Sequence, residues 1–263
     1  MTTGGENVSV RPVIVLATAL LTLGGLAACT GDSPGPAPTS PAVVLPPAGG
    51  DDARAALVAR AALAQDKSYA ALYSLDDGNG APRDVVATIG ADGTWRVDVG
   101  KGMEGGTADV SIVSTPAGVY QCTVATAANP ITPACVKVAN AGKLVPRKYD
   151  PRVERLFRPA LSVFTDRQAA ISVTEVEPLT GAKGDCYSVD GISASLDAPV
   201  DIGIYCYDAD GVLTAARVGF GVLKLVSQVP GPKTVALPGP EVQAQPMGTA
   251  SPAAQPSIGQ SPA

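Results

Sequence analysis

The chain predicts an α+β domain, an antiparallel sheet of about ten strands carrying a few helices, and three observations lead there. Apolar residues alternate with polar ones over many short runs, the period of a strand with one buried face. Those runs are punctuated by turn tetrads rich in Asp, Asn and Gly, such as Gly90-Ala91-Asp92-Gly93 and Asp208-Ala209-Asp210-Gly211. A single alanine-dense segment precedes them, with seven alanines between positions 51 and 66. Because helical content is small, a two-sheet β-sandwich is the main alternative architecture.

Taken in order, Asp51-Asp52 can cap a helix over Ala53 to Lys67, in which Leu57, Ala61 and Ala64 share a face. Tyr69, Ala71, Tyr73 and Leu75 then alternate, followed by Val85, Ala87 and Ile89, and by Trp95, Val97 and Val99 against Thr94, Arg96 and Asp98. Further strands are expected at Val110 to Val113 and Val119 to Thr123, across a Thr115-Pro116-Ala117-Gly118 turn. A short helix is expected at Asp150 to Phe157, with Asp150 as cap and Pro151 in its first turn, and with Pro159 keeping it short. Strands resume at Ala170 to Val176, Asp185 to Val189, Asp201 to Tyr207, Val212 to Val218 and Val222 to Val226.

The ends of the chain read differently. Residues 1–28 have the layout of a secretory signal peptide: a polar start with Arg11, an apolar run from Val13, then small residues. Counted through Ala28 the run is 16 residues, short for a bilayer span and broken by Gly24-Gly25. Leu26-Ala27-Ala28-Cys29 resembles a bacterial lipobox, which implies cleavage before Cys29 and attachment of diacylglycerol and a further acyl chain such as palmitate to it. One acyl chain binds a membrane marginally, whereas two or three hold a protein durably. Residues 29–50 then form a Pro-rich tether, 51–237 the β-rich domain, and 238–263 a Pro-, Ala-, Gln- and Ser-rich tail expected to be disordered. The expected location is extracytoplasmic, at the outer face of the plasma membrane.

Four cysteines fall within the domain: Cys122, Cys135, Cys186 and Cys206. In an exported chain an even number reads as two disulfides. Three connectivities are possible, and Cys122–Cys135 with Cys186–Cys206 is favoured because each pair flanks a short connection between strand-like runs. A zinc site has neither a C-x-x-C knuckle nor a histidine to support it.

Composition removes most chemistry. The chain has no histidine, so Ser-His-Asp and Cys-His activation are excluded, as are histidine-containing metal sites. Gly191-Ile192-Ser193-Ala194-Ser195 fails G-x-S-x-G at its last position, and Asp208-Ala209-Asp210-Gly211 reads as a turn rather than a calcium loop. A net charge of −5 with no long basic run argues against nucleic acid. The expectation is a non-enzymatic protein without cofactor or metal. A carboxylate-based hydrolase is the one enzymatic route left open, and it would need two acidic groups about 5–10 Å apart in a cleft.

The order of features carries a resemblance. A helix after a tether leads into the paired strands around Gly90-Ala91-Asp92-Gly93-Thr94-Trp95-Arg96-Val97-Asp98-Val99. Gly118-Val119-Tyr120 follows, then a mid-chain helical region, and then a closing meander from Gly184-Asp185-Cys186-Tyr187 to Tyr205-Cys206-Tyr207-Asp208-Ala209-Asp210-Gly211-Val212-Leu213. This resembles the actinobacterial lipoproteins of the LprG/LppX type, which share the half-barrel fold of the LolA lipoprotein carrier. The resemblance implies a curved antiparallel sheet around helices, with an apolar cavity that binds or transfers lipid or glycolipid. It would place Tyr69, Tyr73, Val85, Ile89, Trp95, Val97 and Val99 on the inward face; the same pattern also fits a filled core.

A headgroup site is suggested by the residues themselves. A helix over Asp150 to Pro159 would set Arg152, Arg155 and Arg158 along one side and Val153, Leu156 and Phe157 on another. Such a basic amphipathic element suits an anionic phospholipid, and it equally suits a helix docked by its apolar face with the arginines in water. The alternative to lipid binding is a non-enzymatic structural or protein-interaction module of the cell envelope.

Overall fold

A computed structural model of the chain describes residues 50–126, 130–192 and 200–251. The expected signal peptide, Cys29 and the tether to residue 49 lie outside the described residues.

Helix α1, Gly50–Asp66, opens the domain with Asp51 and Asp52 in its first turn, where they oppose the helix dipole. Ala53, Leu57, Ala61 and Ala64 form its buried stripe, while Leu63 is half exposed. Six strands follow: β1 Tyr69–Asp76, β2 Arg83–Ile89, β3 Trp95–Met103, β4 Ala108–Thr115, β5 Gly118–Thr123 and β6 Cys135–Ala139. A connection then carries two short 3₁₀ turns, Arg147–Tyr149 and Val153–Leu156, and helix α2, Arg158–Thr165. Five more strands complete the domain: β7 Ile171–Val176, β8 Asp185–Gly191, β9 Gly203–Tyr207, β10 Leu213–Val218 and β11 Gly221–Pro230.

All eleven strands belong to one open, curved sheet, in the order β6-β5-β4-β3-β2-β1-β11-β10-β9-β8-β7, with every neighbour antiparallel. The fold class is therefore α+β, and the two-sheet sandwich is set aside because hydrogen bonding runs unbroken from β6 to β7. Two meanders, β1–β6 and β7–β11, meet where β1 pairs with β11, from Tyr69↔Pro230 to Asp76↔Val222. The connection from β6 to β7 must pass from one edge of the sheet to the other. Its apolar residues Val153, Leu156, Phe157, Ala160, Leu161 and Phe164 are buried in one core with α1 and the sheet.

Register explains which strand residues meet these helices. Tyr69, Ile89, Trp95 and Ser114 are successive partners across β1–β4; so are Ala71, Ala87, Val97 and Ile112, and Tyr73, Val85, Val99 and Val110. Side chains alternate between faces, so these rows all point toward the helices. The opposite face carries smaller clusters, one around Val113, Tyr120 and Val235, the other around Leu179 and Ala215. Both disulfides sit there. Cys122–Cys135 and Cys186–Cys206 each join directly paired residues of adjacent strands, with Cα atoms 4.0 Å apart.

Close contacts fix α1 on the sheet. Arg54 donates to the carbonyls of Ile171 (2.6 Å), Asp166 and Ala169 (both 3.1 Å), tying α1 to the α2–β7 turn. Arg60 pairs with Asp185 at 2.8 Å. Gly211, in the β9–β10 hairpin, has φ +83°, and a Cβ there would lie 2.6 Å from the Ala64 nitrogen and 2.8 Å from the Arg60 carbonyl oxygen. Only glycine satisfies both the turn and the helix beside it.

Three expectations differ from what is observed. Strand β6 was not foreseen; it is short, carries Lys137, and follows Pro130 and Pro133, which mask its pattern. The single helix expected at Asp150 to Phe157 is instead a 3₁₀ turn preceding α2. Arg152 adopts φ 69°, in the left-handed region, which breaks any helix starting at Pro151. Pro159, expected to end a helix, lies in the first turn of α2, where its missing N–H costs nothing. The tail expected to be disordered from Pro238 has a defined path as far as Ser251. Cys135 donates to the Pro240 carbonyl at 2.9 Å, and Val242 donates to the Cys135 carbonyl at 2.8 Å. The Gln121 carboxamide receives the Met247 N–H at 2.6 Å and donates to its carbonyl at 3.0 Å. Low hydrophobicity hid this order, because the segment is held mainly by hydrogen bonds, at β6 and to Gln121, Lys148, Glu104 and Gly105, with Met247 as its main core contact.

Candidate functional site

A cleft among the described residues has a volume of about 710 Å³. Its sheet wall comes from Trp95 on β3, Ser114 on β4 and Val119 on β5, which are aligned by register. The loop after β6 adds Lys143 and Leu144, and the crossing connection adds Arg147, Asp150, Arg152 and Arg155. Helix α2 contributes its first three residues and Val163, and the segment before β9 closes the site with Val200, Asp201 and Ile202.

Two kinds of surface meet in this cleft. Trp95, Val119, Leu144, Val163, Val200 and Ile202 are apolar, whereas Lys143, Arg147, Arg152, Arg155 and Arg158 are cationic. Among the described lining residues the acidic ones are Asp150 and Asp201, a formal +3 in a chain of net −5.

The arginines are held in distinct ways. Arg155 pairs with Asp150, whose other oxygen accepts the Arg152 backbone N–H at 2.6 Å. Asp150 is therefore not the expected helix cap: the turn at Val153–Leu156 has Arg152 as its N-cap with no side-chain cap, and Asp150 closes a local turn onto the Arg152 N–H. Arg152 pairs with Asp201 and lies 4.8 Å from the Phe220 ring centroid. Arg158 donates through one terminal nitrogen to the Gln65 carbonyl, and its Nε has no protein partner. Partial burial lowers the guanidinium's affinity for its proton, the direction expected for a cation away from water. Behind the cleft, Glu154 is buried with one carboxylate oxygen unpartnered. Burial, reinforced by the neighbouring Asp150, pushes its pKa well above the ordinary carboxylate range.

All three expected headgroup residues, Arg152, Arg155 and Arg158, line the cleft. Of the seven residues expected on an inward cavity wall, Trp95 alone does so. Tyr69, Tyr73, Val85, Ile89, Val97 and Val99 sit in the packed core, at most 5% exposed. Tyr73 meets Phe157 edge-on with centroids 5.3 Å apart, and its hydroxyl donates to the Leu213 carbonyl at 3.0 Å. The crossing connection fills the space over β1 and β2 and leaves room only toward β3–β5. Sequence reasoning missed Lys143, Leu144, Arg147, Val200, Asp201 and Ile202. An apolar Leu144 between two bases in a Pro- and Gly-containing loop was a readable signal for the first three; nothing local marked the segment before β9.

The arrangement suits an anion with apolar substituents: cations for the charge, an indole and aliphatic side chains for the rest. Both lining carboxylates are engaged by arginines, and Glu154 does not line the cleft. Among the described residues, no three His, Cys, Asp or Glu side chains are grouped to hold a metal ion. No helix among them is long and apolar enough to cross a membrane. No protein-family profile matches the chain, and no curated protein matches it in sequence.

Proposed function

We propose that this protein is a non-enzymatic, membrane-anchored lipoprotein of the extracytoplasmic face, whose domain binds or transfers a lipid or glycolipid. The observation that carries the reading is the cleft itself. A volume of about 710 Å³ falls within the roughly 300–1,000 Å³ typical of small-molecule sites, and it combines apolar walls with a cationic surplus. An amphiphile's anionic group would sit against Arg152, Arg155 and Arg158, with part of its apolar body along Trp95 and Val119. The two meanders, joined by helices crossing one face, support a LolA-like half-barrel as the finer description of the sheet. Anchoring rests on the lipobox-like sequence at Cys29 and acylation there.

Native mass spectrometry of the Cys29→Ala chain, purified from a lipid-containing host, tests the proposal. An amphiphile adduct is the expected result, and apo protein alone would overturn it. Arg158→Ala should reduce adduct retention roughly tenfold, the equivalent of one charge-assisted hydrogen bond of about 1.5 kcal/mol. The packed core beneath β1 and β2 favours a second reading, a protein-interaction module of the envelope. That reading predicts no adduct and a single protein partner on in-cell crosslinking.

A further inference from the structure

We propose that the mouth of this cleft is a docking surface for an anionic lipid bilayer. Leu144 and Ile202 both line the cleft, yet they are 55% and 53% exposed. Large aliphatic side chains held in water at the rim of a cationic site match the interfacial region of a membrane, where apolar groups insert and lysine or arginine meets lipid phosphate. Lys143 precedes Leu144 in the same exposed loop, and Arg152, close to half exposed through its side chain, stands beside Asp201 and Ile202.

Charge sets the orientation. The lining carries +3, which leaves −8 on the rest of the chain. An anionic surface therefore favours approach by the cleft mouth over the net-negative remainder, so the domain lands with the cleft facing the lipid. Exposed apolar residues elsewhere, such as Val226 on β11 at 60% exposure, are not part of this cationic lining. The docking uses the same cleft as the proposed cargo site, but it needs no cargo and no acyl anchor.

Flotation of the full chain with vesicles of phosphatidylcholine, with or without phosphatidylglycerol, tests the inference. The N-terminal segment, in which Glu6 and Arg11 cancel, contributes alike to both arms. Binding should favour the anionic vesicles by about tenfold or more and should weaken steeply with salt. Lys143→Glu should lower that preference at least about fivefold. The double substitution Leu144→Ser with Ile202→Ser should remove most of the preference for anionic vesicles, and Val226→Ser should leave it unchanged. All these positions are exposed, and far-ultraviolet circular dichroism checks that each variant is folded. Equal partition between the two vesicle types would overturn the inference, as would a double variant that keeps the parent's preference. Native mass spectrometry on the same proteins separates the two ideas: adducts without vesicle preference remove docking alone, and vesicle preference without adducts removes cargo binding alone.

Discussion

Gly211→Ala is expected to destabilise the domain far more than Gly93→Ala, although the two glycines share nearly the same backbone conformation. Gly93 has φ +85° and Gly211 φ +83°, and both lie in hairpin turns. Placing alanine in the left-handed region costs roughly 1–2 kcal/mol at either site. At Gly93 nothing lies within 4 Å of the new Cβ, so the cost ends there. At Gly211 the Cβ would stand 2.6 Å from the Ala64 nitrogen, 2.8 Å from the Arg60 oxygen and 2.9 Å from the Leu63 Cβ. Two of those atoms are helix backbone and cannot rotate away, so α1 itself must lift from the β9–β10 hairpin. Overpacking of this kind adds about 1–3 kcal/mol, for a total of about 2–5 kcal/mol at Gly211. For a domain of this size each kcal/mol corresponds to about 2–4 °C in melting temperature. Urea and thermal melts followed by circular dichroism give the comparison directly. Equal destabilisation of the two variants would refute the tight docking of α1, and with it the account of how the helices are fixed on the sheet.

Replacing both cysteines of either disulfide by serine should cost roughly 3 kcal/mol, since the loops closed have sequence separations of 13 and 20; chemical denaturation measures it. Glu154 should make stability fall as pH rises. Its carboxyl keeps its proton in the fold beyond the ordinary value of 4.5, so stability is full below that value and is lost between it and the raised native one. The slope in that window reaches at most about 1.4 kcal/mol per pH unit. Glu154→Gln should flatten this segment of a pH series of urea midpoints, and a parent curve already flat there would refute the assignment.

Strands β1 to β3 were legible because each buries one face, and burial on one side only is what produces a period of two. Tyr69, Ala71, Tyr73 and Leu75 are all buried, and the residues between them are not. The disulfide partners were legible because each pair closes a local connection. The helical crossing was harder to read. Arg152 leaves helical space at φ 69°, its N–H held by the Asp150 carboxylate, and no propensity scale registers that. Pro151 read as a helix start and Pro159 as a stop, whereas in the fold it is Pro159 that lies in a helix's first turn. The cleft drew on pieces that are distant in sequence, Trp95, Leu144, Arg158 and Ile202, whose meeting depends on the β6-to-β7 path across the sheet. The three arginines were found because they are neighbours along the chain; Ile202 and Asp201 were not, because their place in the cleft is settled only by topology.

The pairing of β1 with β11 has a consequence for how the domain is made. The centre of the sheet is assembled from the two ends of the folded segment, while its outer margins come from the middle of the chain. Hairpins within each half can form locally as the polypeptide emerges, but the central seam joins residues some 150 positions apart and waits for the final strand. A chain that stops short of Pro230 therefore loses part of the seam at the middle of the sheet, whereas a nick between β6 and β7 severs no strand pairing at all.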